Sequence, residues 1–147
     1  MSDGTLCEHA LYHVDQGLQE AAVRHMIRVT KPGKPLVVIY SNPLSPVNIM
    51  EGLYRWSRLN RLHGGGNLYF FRYRLKWWRK FEDSCEVEIR AFDPISARQA
   101  KILLPTAAFS RLFFRWCGWL GERYPCVAKH LWAYPVIILK KRRSKIL

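Results

Sequence analysis

Acidic side chains are scarce in this chain. Eleven Asp and Glu face 24 Lys and Arg, a net charge of +13 over 147 residues. An excess that large favours acidic partners such as nucleic acid, anionic lipid or phosphorylated substrates. Cysteine is sparse as well. Cys7, Cys85, Cys117 and Cys126 form no Cys-x-x-Cys pair and no dense cluster, so they read as the reduced thiols of a cytoplasmic protein and not as a disulfide framework. No run reaches the roughly 18 uncharged apolar residues that a membrane span requires. The polar opening, with Asp3 and Glu8, is no secretory signal. The chain is therefore expected in the cytoplasm, soluble or at most peripheral at a membrane. Glycine clusters only at Gly64-Gly65-Gly66, between His63 and Asn67, where it follows no predicted strand and reads as a flexible loop.

What remains is ample for one folded domain. Hydrophobic residues make up 49% of the sequence, which argues against disorder at this length. The most informative segment is Leu6 to Tyr40, LCEHALYHVDQGLQEAAVRHMIRVTKPGKPLVVIY. Thr5-Leu6-Cys7 is strand-like and leads into a loop holding Glu8, His9, Tyr12 and His13. Asp15 offers a side-chain oxygen where a helix can begin. Leu18, Ala22, His25 or Met26, and Val29 then recur at helical spacing, with Arg24 and Arg28 toward solvent. Pro32-Gly33 ends the helix, because proline fixes φ and glycine accepts the left-handed conformation. Leu36 to Tyr40 is a continuous β-branched run suited to a strand covered on both faces. The segment predicts a β–loop–α–turn–β unit.

Downstream, a loop rich in Pro and Asn runs from Ser41 to Asn48, and Met50 to Leu62 reads as an amphipathic helix with Leu53, Trp56 and Leu59 or Asn60 on one face. Tyr73 to Phe81 predicts a helix, with Tyr73, Trp77 and Phe81 buried and the arginines snorkelling outward. Cys85 to Phe92 alternates as a half-exposed strand. Phe109, Leu112, Phe113, Trp116 and Leu120 line one helical face, for which core packing is the commoner use. With Arg111 and Arg115 beside it, the same face is wide enough to lie on a membrane. Trp132 to Lys140 is the last strand, and Lys140-Lys141-Arg142-Arg143-Ser144-Lys145 follows as a basic tail.

The wording of the first unit resembles the fourth-strand to fifth-strand segment of class I S-adenosylmethionine-dependent methyltransferases, of the type 11-like kind. There a strand leads to an LxHv stretch, a helix ending in R-V-L-K-P-G-G, and an apolar strand. The matching pieces are Leu11-Tyr12-His13-Val14 and Arg28-Val29-Thr30-Lys31-Pro32-Gly33. Thr30 stands where the family has Leu, and Lys34 replaces the second glycine. The later order of helix, strand, helix and closing antiparallel strand agrees in outline. The resemblance implies an α/β fold, a partial Rossmann-like methyltransferase sheet of strands four to seven with flanking helices. Residues 1–140 would form the carboxyl-terminal half of such a domain and residues 141–147 a basic tail. The family's glycine-rich cofactor turn and ribose-binding acid precede this segment, and only six residues precede Cys7. We therefore expect either a start upstream of Met1 or a partner that supplies the missing strands, with the exposed sheet edge open to self-association.

The resemblance also assigns roles. Cys7, Glu8 and His9 would face the methionine part of S-adenosylmethionine. His13 lies just beyond, where it packs the following helix or serves as a base, imidazole being the side chain that titrates near neutral pH. Tyr40, Ser41 and Asn42, at the carboxyl end of the next strand, are candidates to touch the methyl acceptor, a small molecule or a lipid; Asn42-Pro43 reads equally well as a plain turn. Glu8, His9 and His13 do not form His-Glu-x-x-His and lack a third ligand, so no metal is expected. The alternative to an enzyme is a non-catalytic basic module. The aromatic and cationic residues from Tyr69 to Lys80, or the basic tail, would then hold nucleic acid, an anionic membrane surface or a partner protein.

Overall fold

The computed structural model describes residues 1–59, 71–104 and 106–142. The expected glycine loop at Gly64 to Gly66 and most of the basic tail lie outside these residues. The fold is mixed α/β, with a four-stranded sheet in the order β1-β2-β4-β3. The strands are β1 (Thr5–Glu8), β2 (Pro35–Ile39), β3 (Cys85–Asp93) and β4 (Tyr134–Lys141). β1 and β2 run parallel in the register Cys7↔Val38, and β4 lies antiparallel to β2 in the register Val38↔Ile137. This is a partial Rossmann-like arrangement with an antiparallel closing strand. The helices are α1 (Gln16–Val29), α2 (Pro46–Leu59), α3 (Ala97–Leu103), α4 (Ala107–Arg123) and α5 (Pro125–Leu131), with 3-10 helices at Leu11–His13 and Leu75–Phe81. No helix among the described residues is long and apolar enough to cross a membrane.

The chain divides into two compact units. The first comprises Met1–Ser41, Leu68–Ile89 and Val136–Leu147, and the second Asn42–Asn67 and Arg90–Pro135. In the first unit the parallel pair is joined by α1, the crossover that parallel strands require. Gly33 takes a φ of 78° at the turn, the conformation that made glycine necessary there. Leu36 and Val38 of β2 and Ile137 and Leu139 of β4 face one side of the sheet, against Val23 and Ile27 of α1 and against Trp78 and Phe81. On the opposite face Val37 is half-buried and Ile39 is buried, so the cover on that side is complete only toward the end of β2. β1 forms one end of the sheet, and Leu6 on it is 64% exposed.

The face of α1 differs from the expected one. Gln19, Val23 and Ile27 are buried, with Ala22 and Met26 packed beside them, whereas Leu18 and Val29 are exposed. A glutamine takes the core position because its amide has buried partners. Its Nε2 donates to the Val14 and Phe71 carbonyls at 3.0 and 2.6 Å, and its Oε1 accepts from the Tyr40 hydroxyl at 2.8 Å. Asp15 does stand at the N-cap, but its side chain accepts no hydrogen bond from the first turn.

The segment expected to be a helix from Tyr73 to Phe81 is a 3-10 helix over Leu75–Phe81, and its buried residues are Leu75, Trp78 and Phe81. Three residues per turn set side chains in a row at every third position, so the buried row moves from the 3.6-residue spacing to a strict spacing of three. Tyr73 and Trp77 instead stack on each other, with ring centroids 4.5 Å apart and planes 3° apart. A surface ion cluster fastens this segment to α1. Glu20 accepts from Lys80 at 2.5 Å and from Arg24 at 3.0 Å, which holds its carboxyl below the usual range.

In the second unit α2 begins at Pro46, four residues before the expected Met50. Ser45 explains the shift. Its hydroxyl accepts from the Asn48 backbone N–H at 3.2 Å, and Pro46 follows where a first-turn proline is tolerated. Leu53, expected on a packed face, is 61% exposed. α3 is opened by a capping box in which Ser96 and Gln99 bond each other's backbone N–H groups. The Gln99 amide also reaches Asn48 Oδ1 at 3.1 Å and Glu51 Oε2 at 2.8 Å. The last strand starts at Tyr134, two residues later than expected, and runs through Lys141, the residue placed first in the tail.

Two glycines of α4 predict opposite responses to one substitution. A Cβ on Gly121 would come within 2.9 Å of Trp132 Cη2 and 3.2 Å of its Cζ2, whereas one on Gly118 would meet nothing within 4 Å. Gly118→Ala should stabilise the protein by about 0.5–1 kcal/mol through lost chain entropy. Gly121→Ala should destabilise it by about 1–3 kcal/mol, because the rigid indole must move. Urea unfolding of the two variants checks the sign, and equal responses would show that Trp132 does not pack on Gly121.

Candidate functional site

The carboxyl ends of parallel strands are where open α/β sheets bind ligands. In the first unit those ends belong to β1 and β2. Glu8 pairs with Ile39 at the last rung, and the His9 backbone N–H reaches back to the Ile39 carbonyl at 3.4 Å. His9 has a φ of 52°, the one positive φ outside glycine among the described residues. That conformation is uncommon for a side chain with a Cβ, and it turns the chain sharply out of the strand. The Leu11–His13 turn follows, with the His13 N–H on the Ala10 carbonyl at 3.0 Å.

The imidazole of His9 is held in place. Its Nδ1 lies 3.0 Å from the Tyr12 hydroxyl, and Tyr12 is buried with its ring edge-on to Tyr40 at 6.0 Å. Tyr12 also lies 4.8 Å from the ring of His13, which is exposed. His9, His13 and Tyr40 thus meet around Tyr12. The sequence shows Tyr12 in the loop but gives no sign of this central position.

Cys7 and Glu8 point to opposite faces, as successive strand residues must. Cys7 packs against the core, and burial pushes its thiol up, partly offset by the backbone N–H groups of Leu11 and Ala10. It is therefore a protonated packing group at neutral pH. Glu8 is exposed at the strand end, whereas Cys7 and His9 are each half-buried.

Tyr40 is fully buried. Its hydroxyl donates to Gln19 Oε1 at 2.8 Å and accepts from the Tyr73 backbone N–H at 2.9 Å. Burial pushes its pKa up to about 12, against the smaller opposing effect of the Tyr73 N–H. Ser41 is also buried, and its hydroxyl accepts from Arg72 at 3.2 Å. Asn42 belongs to the second unit. Its Nδ2 donates to the His130 carbonyl at 2.8 Å, its Oδ1 accepts from the Leu44 N–H at 3.1 Å, and its own carbonyl accepts from Asn48 at 2.8 Å. Those bonds are what a chain turn requires. Asn48 and Gln99, which the sequence reading passed over, complete this buried amide network. Two amides and a turn serine within Asn42 to Asn48 were its only sequence signal. Among the described residues no three of His, Cys, Asp and Glu lie together as metal ligands.

No model of a known protein family matches the chain. No curated protein matches it either. Among solved structures it is similar to the crystal structure of MccD protein, with 14% identity over 95% of this chain and a TM-score of 0.34. The chain spans 60% of the length of that structure.

Proposed function

We propose that this chain supplies one wall of an S-adenosylmethionine cleft, as the part of a class I methyltransferase domain from its fourth strand onward. The observation that carries the reading is the parallel β1–β2 pair, whose carboxyl ends open beside a loop turned by the left-handed His9. S-Adenosylmethionine supplies a methyl group on a sulfonium centre, and its transfer depends chiefly on holding donor and acceptor in line. Glu8 offers an exposed carboxylate to the cationic methionine end of that cofactor. His9 presents an imidazole fixed by Tyr12, and Cys7 packs the strand beneath them. Tyr40 and Ser41 hold the end of β2 in place through buried hydrogen bonds. His13, exposed on the turn beside the Tyr12 ring, is the candidate to take a proton from an acceptor. The fit is to one wall only. Neither β1 nor β2 is followed by a glycine-rich turn, so these strand ends offer the cofactor side chains and not a close backbone approach.

Calorimetric titration of S-adenosylmethionine into the folded chain tests this. One wall predicts a Kd no tighter than roughly millimolar, lost in the double variant Glu8→Ala, His9→Ala while the circular dichroism spectrum stays unchanged. Binding that survives the double variant would place the cofactor elsewhere. Micromolar affinity would mean that the chain alone holds a complete site.

A further inference from the structure

Helix α4 buries less of its apolar surface than its sequence suggests. Cys117 and Leu120 are its buried residues, with Phe113 half-buried beside them. Phe109, Leu112, Trp116 and Trp119 are 51%, 64%, 51% and 55% exposed. Their spacing of three, four and three residues places them in one row on the solvent side of the helix, about 15 Å long at the usual helical rise. The expectation that Phe109, Leu112 and Trp116 pack in the core is therefore corrected. α4 is apolar around a wider arc than its own unit covers.

Charge narrows what can cover that row. Arg111 and Arg115 flank it along one side and Arg123 continues it at the carboxyl end, all exposed. From Ala97 to Leu131 the sequence carries Arg98, Lys101, Arg111, Arg115, Arg123 and Lys129 against a single acid, Glu122. None of those six cations forms an ion pair among the described residues. A second copy would bring the same cations against the same face, which repels. Nucleic acid would neutralise the arginines but leave the side chains of Phe109 and Leu112 against phosphate. An anionic bilayer surface satisfies both, with Trp and Leu at the acyl boundary and Arg among the headgroups. The geometry points to α4 as a docking helix for an anionic lipid surface, lying in the membrane interface without crossing it. This does not depend on the cofactor-wall reading, since the residues belong to the second unit and none of them is in the candidate site.

Co-sedimentation of the full chain with vesicles of phosphatidylcholine and phosphatidylglycerol in equal parts, and with pure phosphatidylcholine, tests the assignment. The wild type should partition onto the anionic vesicles and far less onto the neutral ones. Trp116→Ser with Trp119→Ser should weaken partition by at least about tenfold, with an unchanged circular dichroism spectrum because both rings are exposed. Arg111→Ser with Arg115→Ser should reduce the preference for phosphatidylglycerol. Undiminished binding by the tryptophan variant, or no binding by the wild type, would overturn the proposal. A wild-type dimer in sedimentation velocity that dissolves in the tryptophan variant would also overturn it, and would assign the face to a second copy.

Discussion

Replacing Trp78 by alanine is expected to destabilise the protein by about 3–5 kcal/mol, the usual cost of removing a large aromatic from a core. Trp78 is fully buried, at the middle of the row Leu75, Trp78 and Phe81 that the 3-10 helix presents. Its ring meets Tyr40 edge-on at 5.2 Å, Trp77 at 5.1 Å and Phe81 at 6.0 Å. A cavity there would undercut the packing of β2 and the segment that bonds Tyr40. Trp78→Phe should cost less than half as much, because the indole Nε1 is buried without a hydrogen-bond partner among the described residues, so no polar contact is lost with it. Urea unfolding followed by circular dichroism measures both. Equal losses in the two variants would mean that the indole N–H matters and that ring volume does not.

Tyr40→Phe should cost about 2–4 kcal/mol, although it removes a single oxygen. The substitution leaves Gln19 Oε1 and the Tyr73 backbone N–H without their partner in a buried place, and stranding a buried polar group costs about 1–3 kcal/mol. The same hydroxyl makes an alkaline prediction. An ordinary phenol ionises near pH 10, whereas burial holds Tyr40 to about 12. The folded state therefore keeps a proton that the unfolded chain releases. The resulting stabilisation is fully present below about pH 10 and is lost as pH rises through about 12, roughly 2–3 kcal/mol in all. Tyr40→Phe should flatten this part of the stability curve relative to wild type. An unchanged alkaline slope in the variant would show that the hydroxyl is not held as described.

The parts of the fold that could be read from sequence are those where local chemistry and tertiary demand agree. Thr5-Leu6-Cys7, the Pro32-Gly33 stop and the run ending at Tyr40 each carry their own signal, and β1, α1 and β2 form there. The misread parts are those where a tertiary partner decides. The apolar spacing of α1 points to Leu18, whereas the buried residue is its neighbour Gln19, whose bonds come from Tyr40 and the Phe71 carbonyl. The segment Leu75–Phe81 is ambiguous between spacings of three and four, and the side that Trp78 fills resolves it. On α4, apolar residues surround most of the helix, and sequence alone does not say which of them the protein covers. The parallel strand pair and its carboxyl ends were legible in the sequence, but the bonds made by the residues there were not. Tyr40, Ser41 and Asn42 are consecutive in sequence, yet their polar atoms are engaged in the structure and Asn42 belongs to a different unit.

The central claim is that the end of β1 and the turn after it form a wall for S-adenosylmethionine. Titration of the cofactor into isotopically labelled full-length chain, followed amide by amide by NMR, tests it even when affinity is weak. The account predicts shifts concentrated on Glu8, His9 and the Leu11–His13 turn, saturating at millimolar cofactor, with α4 unaffected. Shifts confined to other residues, or no shifts in a spectrum that shows the protein folded, would contradict it.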